Sequence, residues 1–230
     1  MADPILWPYD VLPPAHPAFD INPRSTRGSA NGLGASQNVV SSVGLWTATY
    51  TGVPLNTAQR IKCWRALEGI LQGRSLPLLV PLRDKPDRMP LPAAANGRRS
   101  VFLPHSSSAS FSDGSLYQQD TIVAELAASA ALAATTVSIR MITDVLPEPG
   151  QHFSIGVRLY RIARLVSSVD DTVTVRIVPP LREAVASGER ADFSNPVCKM
   201  RLATDTELSA GTLSANRFAV RDVSFVEDTL

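Results

Sequence analysis

Few residues of this chain have the types and spacing that catalysis asks for. His105 is followed by serines and, further on, by Asp113, the residue types of a nucleophile, base and orienting carboxylate. The run HSSSASFSDGS that holds them is low-complexity and serine-rich, and reads as a loop that cannot fix a triad. Gly28, Gly32 and Gly34 hint at a phosphate cradle. They lie in a polar stretch with no strand before it and no capped helix after it, the context such a cradle needs. Ser112-Asp113-Gly114-Ser115 and Asp170-Asp171 look like fragments of calcium loops, yet calcium takes six or more ordered oxygens, and short acidic runs are ordinary turn formers. Glu125, Glu148 and Glu183 show no pairing of the kind acid–base chemistry uses. The motifs GxSxG, GxxxxGK[ST], GxGxxG and HExxH are all missing from the sequence.

Metal and redox chemistry fare no better. Cys63 and Cys198 are too few for a disulfide framework or a four-cysteine zinc site, and His16, His105 and His152 are far apart. Both cysteines read as small buried hydrophobes. No catalytic, cofactor-binding or metal-binding residue is assigned, no cofactor is expected, and the chain reads as non-enzymatic.

The elements that would position any site are mainly strands. The chain has 230 residues, 44% hydrophobic and 19% charged, enough for one large β domain or two small ones. Its 18 prolines argue against a helical bundle. A net charge of +1, from 22 basic and 21 acidic residues, excludes a strongly basic nucleic-acid binder and an acidic tail protein. The N-terminus lacks the basic-then-apolar pattern of a signal peptide, and the alanine-rich run 126–137 is too short to span a bilayer, which takes about 20 residues. A soluble protein made in the cytoplasm is expected.

Residues 1–35 read as loop, with 23–36 as a polar arm whose Arg24 and Arg27, like Arg98 and Arg99, are solvated charges. Residues 37–52 predict a hairpin turning at Val43-Gly44, with Trp46, Ala48 and Tyr50 on its buried face. One amphipathic helix is predicted over 57–72, capped by Asn56 with Gln59, with Ile61, Trp64, Leu67, Ile70 and Leu71 as its apolar stripe, and closed by Gly73. Prolines 77 and 81 make 76–82 an edge or irregular strand, and 100–104 a further short one. From residue 135 onward the alternation predicts a β-meander, with strands at 135–142, 157–166 and 172–178. Leu159, Ile162 and Leu165 face inward there, a bulge absorbs one slip, and a helical turn starts at Pro180. Such spacing indicates a small barrel or sandwich. Two last strands follow, the C-terminal one at 217–226, with Phe218, Val220, Val223 and Phe225 divided by a bulge at Asp222.

Taken in order, the INPRS arm, QNVVSSVGLWTATY, the helix AQRIKCWRALEGILQGRSLPLLVPLRD, the loop FSDGSLYQQ, TTVSIRMI, GQHFSIGVRLYRI, TVTVRIVPPLREAVASGERADFSNPVCKMRLA and the ending VSFVED resemble the distal tail proteins of long-tailed bacteriophages and gene transfer agents. The resemblance implies a mainly β fold: a β-sandwich ring-forming domain with one flanking helix, plus a small barrel-like outer domain. It places the ring domain at 1–115, completed by 198–230, and the inserted outer domain at 116–197. It further implies a structural virion protein at the tube-to-baseplate junction, assembled with itself as a ring, commonly a homohexamer. Its other implied partners are the tail tube protein, the baseplate hub proteins and the tape measure protein. DNA would pass through the lumen without sequence-specific binding, and there would be no membrane anchor. Assembly would use the arm 23–36 and the C-terminal strand. A carbohydrate- or receptor-binding module is the alternative, for which exposed aromatics among Phe153, Tyr160 and Phe193 would speak. A tail-associated hydrolase is a third reading, without paired acids to support it.

Overall fold

A computed structural model of the chain describes residues 4–27, 38–83, 101–103, 117–119, 124–142, 146–209 and 219–229. Among the described residues the protein is mainly β with one helix. It divides into two compact units. The first comprises Met1–Asp84, Val157–Leu159 and Pro196–Leu230, and the second Lys85–Gly156 and Tyr160–Asn195.

The first unit contains strands β1 (Ile5–Leu6), β2 (His16–Arg27), β3 (Asn38–Leu55) and β4 (Leu78–Pro81), helix α1 (Ala58–Leu71), and the returning strands β13 (Val197–Leu202) and β14 (Ala219–Glu227). The six strands form one sheet in the order β1-β4-β13-β14-β3-β2, antiparallel except for β1 beside β4. The long polar opening is therefore less loop-like than its composition predicts. Phe19 and Ile21 alternate with exposed Ala18 and Asp20, and this period of two makes 16–27 a strand. The remainder of the proposed arm, 28–36, lies outside the described residues.

The predicted hairpin within 37–52 does not form. β3 runs straight through Val43 and Gly44, and Ile21 of β2 is the reason a glycine stands there. A Cβ at position 44 would lie 2.4 Å from Ile21 Cγ2, so the missing side chain lets Ile21 cover the strand. The helix starts one residue later than predicted, because the cap is Thr57. Its hydroxyl accepts from Arg60 N at 3.3 Å, while Asn56 Oδ1 accepts from Arg60 Nη1 at 2.6 Å. α1 ends where Gln72 and then Gly73 take left-handed conformations. A Cβ on Gly73 would also press to 2.8 Å from Asp205 Oδ1. β4 is an interior strand and not an edge, since Pro77 precedes it and Pro81 closes it, so neither ring interrupts its ladder.

Aromatic packing fills this unit. Trp7 meets Tyr50, Trp64 and Phe225 edge-on, at centroid distances of 5.6, 6.2 and 5.4 Å. All three tryptophans are buried, and each indole N–H donates to a carbonyl: Trp7 to Leu12, Trp46 to Leu159 and Trp64 to Leu208, at 3.1, 2.7 and 2.8 Å. At the end of β14 the buried Asp228 carboxylate pairs with Lys199 Nζ at 3.3 Å and Arg201 Nε at 3.2 Å, and its main-chain carbonyl accepts from Arg158.

The second unit is built on a closed six-stranded barrel. Its strands are β7 (Ala124–Leu126), β8 (Thr136–Met141), β9 (His152–Ile155), β10 (Arg158–Val169), β11 (Thr172–Val178) and β12 (Arg190–Asp192), in the order β10-β11-β8-β7-β12-β9. The first residues of β10 count with the first unit. Two shorter strands, β5 (Val101–Leu103) and β6 (Tyr117–Gln119), pair antiparallel, so the segments on either side of residue 116 are hydrogen-bonded to each other. Inward residues such as Val137, Ile139, Phe153, Ile162, Val173, Val175 and Ile177 make the barrel core. The β10–β11 pairing contains the predicted bulge, with register shifts between Ile162 and Arg164 and between Leu165 and Ser167. Leu165, predicted to be inside, is 41% exposed between the two shifts. The helical turn expected at Pro180 is absent. Val185 instead bridges Ala130, exchanging two backbone hydrogen bonds at 2.9 and 3.0 Å, which ties this stretch to the alanine-rich segment.

Candidate assembly interface

The sheet of the first unit has two edges, β1 and β2. β1 is two residues long, and its exposed Ile5 and Leu6 offer little length for a partner. β2 is different. It pairs with β3 from His16 opposite Thr51 to Arg27 opposite Asn38, with one shift between Asn22 and Arg24. Its other side has no strand against it among the described residues.

β14 covers β3 only from Ala219 opposite Leu55 to Val226 opposite Thr47. Beyond that point β2 and β3 continue as a two-stranded ribbon. A ribbon without a third strand buries little of its own backbone, and isolated two-stranded hairpins are marginal in water. Side chains anchor its base. Phe19 packs edge-on to Tyr50 with centroids 6.2 Å apart, and Ile21 sits over Gly44. Asp20 Oδ1 accepts from Ile21 N at 2.7 Å, and Asp20 O accepts from Thr47 Oγ1 at 3.3 Å. Pro17, Asp20 and His16 on β2 are the kinds of residue that keep an edge from pairing indiscriminately.

The C-terminal strand does not belong to this edge, contrary to the sequence expectation. β14 lies between β13 and β3, with both sides hydrogen-bonded. Its alternation signals burial in the sheet interior, with Val223 and Phe225 inside, whereas Val220 is exposed. Phe218 lies outside the described residues. The bulge predicted at Asp222 is present, where the register shifts between Arg221 and Val223. Asp222 Oδ1 accepts there from Gly52 N at 2.8 Å and so ties the bulge to β3.

The residues considered for chemistry stay apart. His105, Asp113 and the glycines at 28, 32 and 34 lie outside the described residues. His16 and His152 fall in different units. Asp170 and Asp171 form the β10–β11 turn, with Asp170 in the left-handed region and Asp171 Oδ1 accepting from the Thr172 hydroxyl at 3.1 Å. Glu125 is paired with Arg140 on the neighbouring strand, and the Glu148 N–H is taken by Gln151 Oε1 at 2.8 Å. Among the described residues no three His, Cys, Asp or Glu side chains gather as a metal site would require. Cys198 is buried, and burial pushes the half-buried Cys63 thiol above its ordinary pKa, away from the thiolate that nucleophilic chemistry uses. Phe153, Tyr160 and Phe193 form a buried cluster, with Phe153 stacked on Phe193 at 5.0 Å, so these three rings offer no platform for a sugar.

Sequence reasoning passed over two features. Trp7, which joins Tyr50, Trp64 and Phe225 in the aromatic cluster, sits in a proline-rich stretch with no periodicity to mark it. The β2 edge was hidden because its prolines and polar residues read as loop; the alternation of Phe19 and Ile21 was the available signal.

No family model and no curated protein matches this chain.

Proposed function

We propose that this protein is a structural virion subunit that forms a ring at the distal end of a phage tail, joining the tail tube to the baseplate. The reading rests on the order of the tail-protein-like segments along the sequence and on one structural observation, the long open edge of β2 on a ribbon that outruns its sheet. An edge of this length is a template for a neighbouring strand, and a closed ring of identical subunits gives every such edge a partner without leaving a free end. The tube, hub and tape measure proteins are the further partners under this reading. The barrel unit, with its own core, is the outer domain, and no residue has a catalytic role.

The ribbon supplies the test. Asn22 and Leu45 face each other across β2 and β3. Replacing 23–44 by a two-residue Asn-Gly turn therefore closes a short hairpin of the favoured type. This variant should keep the circular dichroism and cooperative melt of the full chain yet lose the oligomer in light scattering at matched concentration. An oligomer of unchanged mass would reject the ribbon as the assembly element.

A further inference from the structure

One face of the barrel unit has a composition that its own fold does not require. Strands β8, β11 and β10 lie side by side, and their registers put outward side chains in rows. In one row Thr136 on β8 is opposite Arg176 on β11, and Arg176 is opposite Arg164 on β10. In the next, Ser138 is opposite Thr174, and Thr174 is opposite Ser167. Val173, Val175 and Ile177, which alternate with Thr174 and Arg176, are buried in the barrel, so both rows face away from the core. Arg164, Arg176, Thr136 and Ser167 are exposed, and the Ser138 and Thr174 hydroxyls lie 3.0 Å apart.

Like charges directly opposite across an antiparallel pair cost stability. Arg164 and Arg176 are such a pair, and among the described residues neither has a carboxylate partner; the nearby cation Arg140 is already matched by Glu125. Directly opposed positions put Cβ atoms about 4.5–5.5 Å apart, close enough for two guanidinium forks to close on one oxyanion. The adjoining hydroxyls both donate and accept, as a polyol requires. We propose that this face binds an acidic polysaccharide, its carboxylate held between Arg164 and Arg176 and its hydroxyls engaged by Thr136, Ser138, Thr174 and Ser167. Two cations side by side suit one carboxylate. Nucleic-acid affinity is carried by many phosphate contacts along a strand, and stacking of its bases takes aromatic rings that these rows lack. The inference does not depend on whether the first unit assembles.

Affinity electrophoresis of the full-length protein through gels containing polygalacturonate, neutral dextran or duplex DNA tests it. Polygalacturonate should retard the protein and dextran should not, and R164Q/R176Q should weaken the retardation at least tenfold. R65Q/R74Q, which removes two exposed cations from the first unit, should leave it unchanged. Because R164Q/R176Q relieves a repulsion, its Tm should equal or exceed that of the parent, which separates lost binding from lost folding. No retardation by polygalacturonate, stronger retardation by DNA, or an equal loss in R65Q/R74Q would overturn the proposal.

Discussion

Trp64 shows how much one side chain carries in this fold. It is buried on the inner face of α1, edge-on to Trp7, and its indole donates to Leu208. Trp64→Ala removes packing and opens a cavity, and should cost about 3–5 kcal/mol in denaturant titrations. Trp64→Phe keeps most of the packing but strands the Leu208 carbonyl, and should cost about 1–3 kcal/mol. Tyr50 adds a dependence on pH. Burial, with Tyr9 nearby, holds its phenol far above the ordinary tyrosine range, and its hydroxyl donates to the Pro81 carbonyl. The folded-state pKa lies above the unfolded value of about 10, so this contribution to stability is complete below pH ~10 and is lost as pH rises beyond it. Chemical denaturation between pH 9 and 11.5 should show a steeper loss for the parent than for Tyr50→Phe. Parallel curves would mean that Tyr50 ionises as freely in the folded protein as in the unfolded chain.

At the scale of elements, the β2–β3 hairpin depends on the fit of Ile21 over Gly44. Gly44→Val forces a side chain into space that Ile21 occupies and should destabilise by about 1–3 kcal/mol. Ile21→Ala in the same chain should recover part of that loss, a coupling that a double-mutant cycle measures; additive costs would show that the two residues do not touch. This pair also explains what was legible beforehand. Strict alternation in TTVSIRMI and TVTVRIV announced β8 and β11, and the 3.6-residue stripe of Trp64, Leu67 and Leu71 announced α1, because each period reflects one buried face. Gly44 misled because a glycine in a strand has two physical uses, a turn or a close approach, and only the residue across the sheet decides between them. β14 misled for a similar reason. Its apolar alternation marks burial, but whether its backbone lies at an edge or between two strands depends on where β13 and β3 come to rest. The candidate interface was the least legible element of all, since an edge strand that defends itself with Pro17 and Asp20 has the composition of a loop.

On the scale of the whole molecule, β1 to β4 and the returning β13 and β14 share one sheet, while the barrel closes on strands from between them. The barrel has its own core, from Ala124 to Phe193. A fragment spanning 117–195 should therefore be soluble and give dispersed amide resonances, and a spectrum of narrow dispersion would show that the barrel needs the first unit in order to fold. The central claim, a ring built through the β2 edge, is tested most directly by negative-stain imaging of the purified full-length protein, with its mass measured by light scattering on the same sample. The account predicts closed rings of uniform diameter and a mass that is a fixed multiple of the subunit's 24.7 kDa. Isolated particles with the mass of one subunit at the highest soluble concentration, and no ring in assembled tails, would contradict it.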